Sequence, residues 1–242
     1  MRILLIRHGD PDYEHDSLTE KGCREAAFLA ERLSGMKIDA FYVSPLGRAQ
    51  KTASYTLEKM GRTAETCPWL REFDAPIDRD GTGEKKIPWD MLPGNWTKIP
   101  EYYDKEAWMH VPVMEAGSME AHVREVWDGI DGIIARHGYQ REGNVYRAVR
   151  PNMETIAVFC HFGVTCVMLS HLLGVSPMVL WHGTAAAPTS VTTLITEERR
   201  PGIASLRMSA FGDVSHLYVH GEEPSFSARF CEMYTNMDER HD

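Results

Sequence analysis

The amino-acid sequence predicts an α/β fold: a mainly parallel sheet flanked by helices on both faces, with an inserted cap segment and an edge hairpin. Continuous apolar runs such as ILLI (3–6) and TIAVFC (155–160) are typical of strands buried on both faces, as in parallel sheets. Segments with helical periodicity alternate with these runs, which indicates βαβ units. A chain of 242 residues can bury one sizeable core, so we expect a single domain over residues 1–242.

The first half of the chain contains two units in which a strand leads into a helix. The ILLI strand is followed by a helix that either Ser17 or Thr19 caps. The second strand, AFYVS (40–44), leads into a helix predicted to begin at Pro45, with Ser44 as its cap. Both units place their polar residues directly after a buried strand.

The second half of the chain continues the alternation. Residues 118–138 place apolar side chains on one face at helical spacing and predict the longest helix. The strand TIAVFC precedes a helix over residues 164–174. Two later runs, SVTTLI (190–195) and IASLRMSAF (203–211), are joined by the turn-like TEERRPG and predict a hairpin at the sheet's edge.

Residues 74–117 do not follow the alternation. They are rich in proline, glycine and aromatic residues and have no regular apolar spacing. A long irregular segment inside a compact domain is typical of a lid or a binding loop, so we interpret it as a cap that selects the substrate. The alternative is a surface excursion in which Trp89, Trp96 and Trp108 only cover the core.

Composition and charge exclude several classes of protein. The net charge of −9 argues against nucleic acid as the main partner, so a bound anion needs a local cluster of arginines. The five cysteines contain no C-x-x-C pair, which argues against a disulfide framework and a zinc ribbon. No apolar run approaches the ~20 residues that cross a bilayer. We therefore expect a cytoplasmic protein without a membrane partner.

Polar residues follow three of the predicted strands, in LLIRHG, YVSPLGRAQKTA and VFCHFGVT. Ligands of open α/β sheets bind at the carboxyl ends of strands, where these segments place Arg7, His8, Arg48 and His161. Guanidinium groups match phosphate oxygens, and an imidazole can attack phosphorus. The sequence contains neither a G-x-x-x-x-G-K-[ST] loop nor G-x-G-x-x-G, so it predicts a phosphoryl site outside the nucleotide-binding folds.

The chain contains five motifs in this order: RHG (7–9), LTEKG (18–22), SPLGRAQKTA (44–53), LRE (70–72) and CHFG (160–163). Together they resemble the motifs of the histidine phosphatase superfamily, which has the phosphoglycerate-mutase-like fold. The resemblance implies that His8 is the phosphorylated nucleophile. It also implies that Arg7, Arg48 and His161 form the phosphate pocket and that Glu72 is the proton donor.

The chain departs from the family pattern after the second histidine. Phe162 stands where the family has a glycine directly after the residue that matches His161. Gly9 of the RHG motif and Phe162 complete the predicted substrate-binding residues. Asp74 is the rival of Glu72 as the proton donor, and the LRE match favours Glu72.

These residues predict a metal-independent phosphomonoesterase that needs no cofactor and acts on a small phosphorylated substrate through a phosphohistidine. His8 must attack as the neutral ring, and the adjacent arginines disfavour the imidazolium. The residues after RHG are Asp-Pro-Asp-Tyr rather than the Glu-Ser and later Asn of the glycolytic mutases, which favours a phosphatase over the alternative, a mutase-type phosphoryl transferase. A homodimer is one expected assembly.

Three other hypotheses stay open at this point. A metallohydrolase could use His8, Asp10 and His161, although it leaves the arginines unexplained. A cysteine hydrolase could use Cys160 or Cys166 beside His161. A catalytically silent module that binds a phosphorylated ligand is the non-enzyme alternative. Weaker candidates for lining the pocket are His182, Thr189 and Ser190, and Lys85 and Lys86 are candidates for steering a phosphorylated substrate.

Overall fold

The computed structural model describes residues 1–227 of the chain. Its strands, in chain order, are β1 (Arg2–Arg7), β2 (Pro11–Asp12), β3 (Ser17–Leu18), β4 (Ala40–Val43), β5 (Glu65–Thr66), β6 (Tyr139–Glu142), β7 (Val145–Ala148), β8 (Thr155–Cys160), β9 (Val191–Arg200) and β10 (Ile203–Asp213). Eight of them form one sheet in the order β5-β4-β8-β1-β9-β10-β7-β6, and β2 pairs with β3 in a separate ribbon.

The helices lie on both sides of this sheet. The α-helices of the described residues are α1 (Glu20–Ser34), α2 (Gly47–Met60), α3 (Pro93–Trp96), α4 (Pro112–Ala116), α5 (Met119–Arg136), α6 (Phe162–Leu173), α7 (Pro177–Gly183) and α8 (Ser215–Val219). Short 3₁₀ turns occupy Pro68–Leu70, Pro100–Tyr103 and Ala107–His110.

Alternate side chains of β1 enter two different cores. Leu4 and Ile6 pack in a cluster with residues of α1 and α2. Ile3 and Leu5 belong to the larger cluster, which includes residues of α5 and α6. Burying one such side chain contributes about 1.5–3 kcal/mol. The predicted fold class is confirmed, because the parallel strands β5, β4, β8 and β1 carry helices on both faces.

Helix α2 begins later than the sequence predicts. The prediction places its start at Pro45 with Ser44 as the cap, whereas the helix starts at Gly47 and Leu46 is its N-cap residue. The Ser44 hydroxyl accepts the Leu46 N–H at 3.2 Å and also contacts a histidine, so it is bound in the turn before the helix. Arg48 still lies in the first turn of α2.

The predicted hairpin is present, but it does not form the edge of the sheet. β9 and β10 pair antiparallel around a turn at Gly202, whose φ of 84° favours glycine. β10 also pairs with β7, and β7 pairs with β6, so on this side of the sheet a second hairpin follows and β6 is the edge strand. The prediction missed it because only alternate residues, Tyr139, Tyr146 and Ala148, are buried, which leaves no apolar run.

Residues 74–117 form short helical turns joined by irregular chain. Trp108 is fully buried and meets Trp181 edge to face, with ring centroids 5.4 Å apart. Trp89, at 9% exposed, belongs to the same core cluster, and the half-buried Trp96 packs against it. Two expectations stay predictions: that residues 1–242 form one domain, and that residues 74–117 are a cap.

The remaining features concern cysteines and hydropathy. Cys67, Cys160 and Cys166 are buried and free, Cys23 is half-buried and free, and Cys231 lies outside the described residues. None of the helices within residues 1–227 has the length and apolar character that a membrane span requires.

Candidate active site

The two histidines predicted to carry the chemistry meet at the carboxyl ends of β1 and β8. These strands pair in parallel with Arg7 opposite Cys160, so His8 and His161 leave the sheet side by side. Their ring centroids are 5.0 Å apart, at an interplanar angle of 58°. His8 is 2% exposed and His161 is 0% exposed. The register of two buried strands thus creates a pair of buried imidazoles.

The His8 ring is held in one tautomer. Its Nδ1 lies 2.7 Å from the Gly9 carbonyl oxygen. A carbonyl oxygen only accepts, so Nδ1 carries the proton and Nε2 keeps a lone pair. Burial, then the charges of Arg7 and Arg48, hold the pKa of His8 well below its ordinary value of 6.5. His8 is therefore a neutral imidazole with a free nitrogen, the form that can attack phosphorus.

Arg7 and Arg48 are each anchored through one nitrogen. Arg7 Nη1 donates to the Ala186 carbonyl oxygen at 2.5 Å, and Arg48 Nη1 donates to Asp16 Oδ1 at 2.7 Å. The Nε of each guanidinium is buried and has no hydrogen-bond partner among the described residues. Such a buried N–H costs about 1–3 kcal/mol. An anion that accepts from both groups would remove that cost.

The loop between β2 and β3 fixes Arg48 from two sides. Asp16 adopts a φ of 44°, and its Oδ2 accepts the Gly47 N–H at 2.6 Å while Oδ1 binds Arg48. Tyr13 is 66% exposed, and the Arg48 guanidinium lies 5.6 Å from its ring centroid. Neither Asp16 nor Tyr13 is among the predicted site residues, because neither directly follows a buried strand.

His161 is the N-cap residue of α6. Its Nε2 lies 2.7 Å from Ser44 Oγ, and its Nδ1 is buried with no hydrogen-bond partner in residues 1–227. Burial, then the neighbouring His8, Arg48 and Arg7, hold its pKa well below 6.5. His161 is therefore neutral as well.

Glu72 lies against the N-terminus of α6. Its Oε1 accepts the N–H groups of Phe73 at 2.7 Å and Val164 at 3.0 Å. Burial raises its pKa above the ordinary 4.5, and the hydrogen bonds from Phe73, Val164 and Gly163, together with Arg7, offset only part of that rise. A carboxyl group in this state can hold a proton for transfer, as a general acid requires.

Because Phe162 follows His161 directly, the glycine of this motif is Gly163, and it lies beside the Glu72 carboxyl group. A Cβ on Gly163 would lie 2.7 Å from Glu72 Oε1 and 2.8 Å from Trp89 Nε1. Phe162 itself packs edge-on against Trp89, with ring centroids 6.2 Å apart. Glycine at position 163 therefore leaves the space that the Glu72 carboxylate occupies.

Gly9 has a packing role in the structure. Its N–H donates to Thr52 Oγ1 at 2.9 Å, and Thr52 Oγ1 donates to the Arg48 carbonyl oxygen at 2.7 Å. A Cβ on Gly9 would lie 2.8 Å from the Gly22 carbonyl oxygen. Gly9 is predicted to bind substrate; its N–H is bonded to Thr52, and the glycine lets the loop approach α1.

Asp10, a candidate metal ligand in the sequence, is bonded through both oxygens. Oδ1 accepts the hydroxyl groups of Ser225 and Ser227, and Oδ2 accepts the Thr19 hydroxyl at 2.7 Å. Its N–H donates to Glu25 Oε2 at 3.0 Å. Asp10 therefore ties the loop after His8 to a segment more than 200 residues later in the chain.

Two weaker candidates have structural partners. His182 Nε2 accepts the Met91 N–H at 3.0 Å, and its ring stacks on Trp96 with centroids 5.0 Å apart. Thr189 has a φ of 59°, and its N–H donates to the His8 carbonyl oxygen at 3.0 Å. His182 thus holds the segment predicted to be a cap, and Thr189 holds the backbone of His8.

The structure also bears on the rival sites. Burial raises the pKa of Cys160 to about 12 and that of Cys166 well above its ordinary value, so both are thiols rather than the thiolates that a cysteine hydrolase uses. The Asp74 side chain is 60% exposed, and Lys86 is paired with two acidic residues. Within residues 1–227, no group of three or more His, Cys, Asp or Glu side chains is placed to hold a metal ion.

Relatives of the chain are found both by sequence and by structure. The 2,3-bisphosphoglycerate-dependent phosphoglycerate mutase of Bartonella tribocorum is 40% identical over 72 residues, which cover 25% of this chain and 35% of that protein. A probable phosphoglycerate mutase of Yersinia pestis, GpmB, is 32% identical over 117 residues, or 42% and 54% of the two chains. The matched part thus spans about a third to a half of these relatives.

Solved structures extend the likeness to the whole fold. A phosphoserine phosphatase from Entamoeba histolytica superposes with a TM-score of 0.61 at 19% identity, covering 89% of this chain and 98% of that one. A mycobacterial glucosyl-3-phosphoglycerate phosphatase gives 0.56 at 17% identity, covering 87% and 98%. A family model described as the histidine phosphatase superfamily (branch 1) matches residues 3–208. With that match over most of its length, the chain belongs to the histidine phosphatase superfamily.

Proposed function

We propose that this chain hydrolyses small phosphomonoesters through a phosphohistidine on His8 and needs no metal ion. The observation that carries the proposal is one cluster of a neutral His8 and three buried nitrogens that have no hydrogen-bond partner within residues 1–227: Arg7 Nε, Arg48 Nε and His161 Nδ1. Arg7 and Arg48 lie close enough to both histidines for their charges to lower both pKa values. A phosphoryl group bound there has a nucleophile on one side and donors around its oxygens.

The proposed reaction has two steps. His8 Nε2 attacks phosphorus, the P–O bond to the leaving group breaks, and the Glu72 carboxyl gives its proton to the leaving oxygen. In the second step the Glu72 carboxylate takes a proton from water, whose oxygen attacks phosphorus while the P–N bond breaks. The products are an alcohol and inorganic phosphate, and both His8 and Glu72 return to their starting states. The arginines stabilise charge on the transferring oxygens.

A phosphoglycerate-mutase-type transferase is the second candidate, since the curated relatives carry that name. In that reaction the phosphoryl group of His8 returns to a hydroxyl of the bound organic molecule rather than to water. The solved relatives include phosphatases, and the Asp-Pro-Asp-Tyr that follows RHG departs from the mutase pattern. These two observations favour hydrolysis.

The test is a panel of phosphomonoesters on the purified chain. Phosphoserine, glucosyl-3-phosphoglycerate, 3-phosphoglycerate and an aryl phosphate are assayed for inorganic phosphate, and 3-phosphoglycerate is also assayed for isomerisation. Hydrolysis of at least one ester without isomerisation is expected. Isomerisation much faster than phosphate release would establish the transferase instead.

The nucleophile is tested in the same assay with a matched pair of variants. His8→Ala should lose turnover together with acid-labile ³²P labelling, whereas His15→Ala should keep both. His15 is a suitable control because its side chain is 69% exposed and bonds to Asp12. Substantial turnover by His8→Ala would show that the nucleophile lies elsewhere.

A further inference from the structure

The environment of Ser44 determines what the second histidine can offer to a ligand. The parallel pairing of β4 with β8 sets Val43 opposite Phe159, and the Ser44 N–H donates to the Phe159 carbonyl oxygen at 2.9 Å. This places Ser44, which is fully buried, next to His161. The separation of 117 residues in sequence conceals the contact from any local pattern.

The hydrogen bonds around Ser44 Oγ fix the direction of its O–H. Its oxygen accepts the Leu46 N–H at 3.2 Å, and the other contact, at 2.7 Å, is with His161 Nε2. Leu46 supplies a donor, so among the described residues the acceptor for the Ser44 proton is His161 Nε2. An Nε2 that accepts is unprotonated, and in a neutral ring the proton then resides on Nδ1.

We propose that Ser44 is a positioning residue that locks His161 in the Nδ1–H tautomer, so that this ring gives a phosphoryl oxygen a neutral N–H donor. The inference rests on the proposed function for the identity of the ligand. It assigns a use to His161 Nδ1, which is buried and without a partner among residues 1–227. The opposite tautomer would turn a lone pair towards the anion and weaken its binding.

The two histidines then have opposite orientations towards the same group. His8 donates through Nδ1 to the Gly9 carbonyl and leaves Nε2 free as the nucleophile. His161 accepts at Nε2 from Ser44 and leaves Nδ1–H free as the donor. Two neutral rings of the same residue type thus perform different tasks because different backbone and hydroxyl groups hold them.

The tautomer is measured directly by ¹⁵N NMR of histidine-labelled protein, with the His161 signals identified by their loss in His161→Gln. The parent should show a protonated Nδ1 and an unprotonated Nε2. In Ser44→Ala a share of the Nε2–H tautomer should appear, whereas Ser44→Thr, which keeps a hydroxyl, should resemble the parent. Ser54→Ala is the matched control, since the Ser54 hydroxyl donates to the Lys51 carbonyl oxygen within α2.

Binding of inorganic phosphate gives the second measurement. One hydrogen bond contributes about 0.5–1.5 kcal/mol, so its loss should raise the Kd for phosphate between about twofold and tenfold in Ser44→Ala. Thermal unfolding of each variant shows that the NMR and binding experiments use folded protein. An Nε2–H signal for His161 in the parent, or an unchanged tautomer and Kd in Ser44→Ala, would overturn the proposal. Failure to turn over any ester, with tautomer and Kd as expected, would count against the proposed function alone.

Discussion

Replacing Glu25 by glutamine should remove a pH dependence of stability that the parent chain has. Glu25 is fully buried, and its two oxygens accept the N–H groups of Asp10 and Ser225, each at 3.0 Å. Burial raises its pKa from 4.5 to about 7, by more than those hydrogen bonds and Lys21 lower it. The folded state therefore retains a proton on Glu25 at a pH where the unfolded chain has released it.

The sign follows from which state binds more protons. Between pH 4.5 and about 7 the folded state binds more, so the free energy of unfolding falls as the pH rises through this window. The difference between the two pKa values corresponds to about 3 kcal/mol. His8 and His161 act in the opposite direction, because their lowered pKa values give stability that is lost as the pH falls below 6.5.

The assay is urea unfolding of parent and Glu25→Gln between pH 5 and pH 8, compared at each pH so that the histidine contributions cancel. The glutamine amide has one acceptor oxygen, so one backbone N–H loses its partner, at a cost of about 1–3 kcal/mol at every pH. The stability advantage of the parent should shrink by about 2–3 kcal/mol from the lowest to the highest pH.

Glu58→Gln, an exposed change on α2, should give a nearly constant difference from the parent. A constant difference for Glu25→Gln as well would refute the reasoning, because it would mean that the buried carboxyl titrates as it does in the unfolded chain.

Three further outcomes are expected. Gly163→Ala should push the Glu72 carboxylate aside, since the new Cβ would lie 2.7 Å from Glu72 Oε1. Turnover of alkyl esters should then fall by about 10²-fold or more, and turnover of an aryl ester with a good leaving group should fall less. Equal losses for both esters would argue against Glu72 as the acid. Trp96→Ala should change the ranking of substrates, with ratios of kcat/KM between related substrates shifting by the equivalent of about 1–3 kcal/mol. Trp108 is fully buried, so Trp108→Ala should lower the free energy of unfolding by about 3–5 kcal/mol and leave the ranking unchanged. Turnover should be unchanged in excess EDTA. Loss of turnover on chelation, with recovery on addition of a divalent ion, would support the metallohydrolase hypothesis instead.

The elements that the sequence predicts well are those with an uninterrupted local signal. β1 and β8 are apolar runs buried on both faces, and α5 repeats its apolar side chains at helical spacing. The edge hairpin of β6 and β7 has no such signal, because its exposed residues alternate with buried ones over only four residues in each strand. Short mixed strands of this kind are defined by their pairing with β10 rather than by their own composition.

The residues of the candidate site also differ in whether a local sequence signal predicts them. Arg7 ends β1, while His8 and His161 directly follow β1 and β8, and the sequence shows all three as polar residues after apolar runs. The sequence predicts Ser44 only as a helix cap, yet its hydroxyl binds a histidine 117 positions away. Glu25 lies on a helix that the sequence places correctly, but its partner Ser225 is 200 positions away. Contacts at such separations depend on the final packing, which no local pattern encodes.

The position of β1 in the sheet also bears on how the chain reaches its native state. The strand that His8 directly follows, β1, is the first of the described strands, yet its neighbours are β8 and β9, and Arg2 pairs with both Thr155 and Ile195. Translation proceeds at about 5–20 residues per second, so on the order of ten seconds separates the emergence of β1 from that of β8. High contact order slows folding, and an apolar strand without partners is prone to aggregate. During that interval β1 has neither of its sheet neighbours, so the strand that positions His8 reaches its native pairing only after β8 has been synthesised.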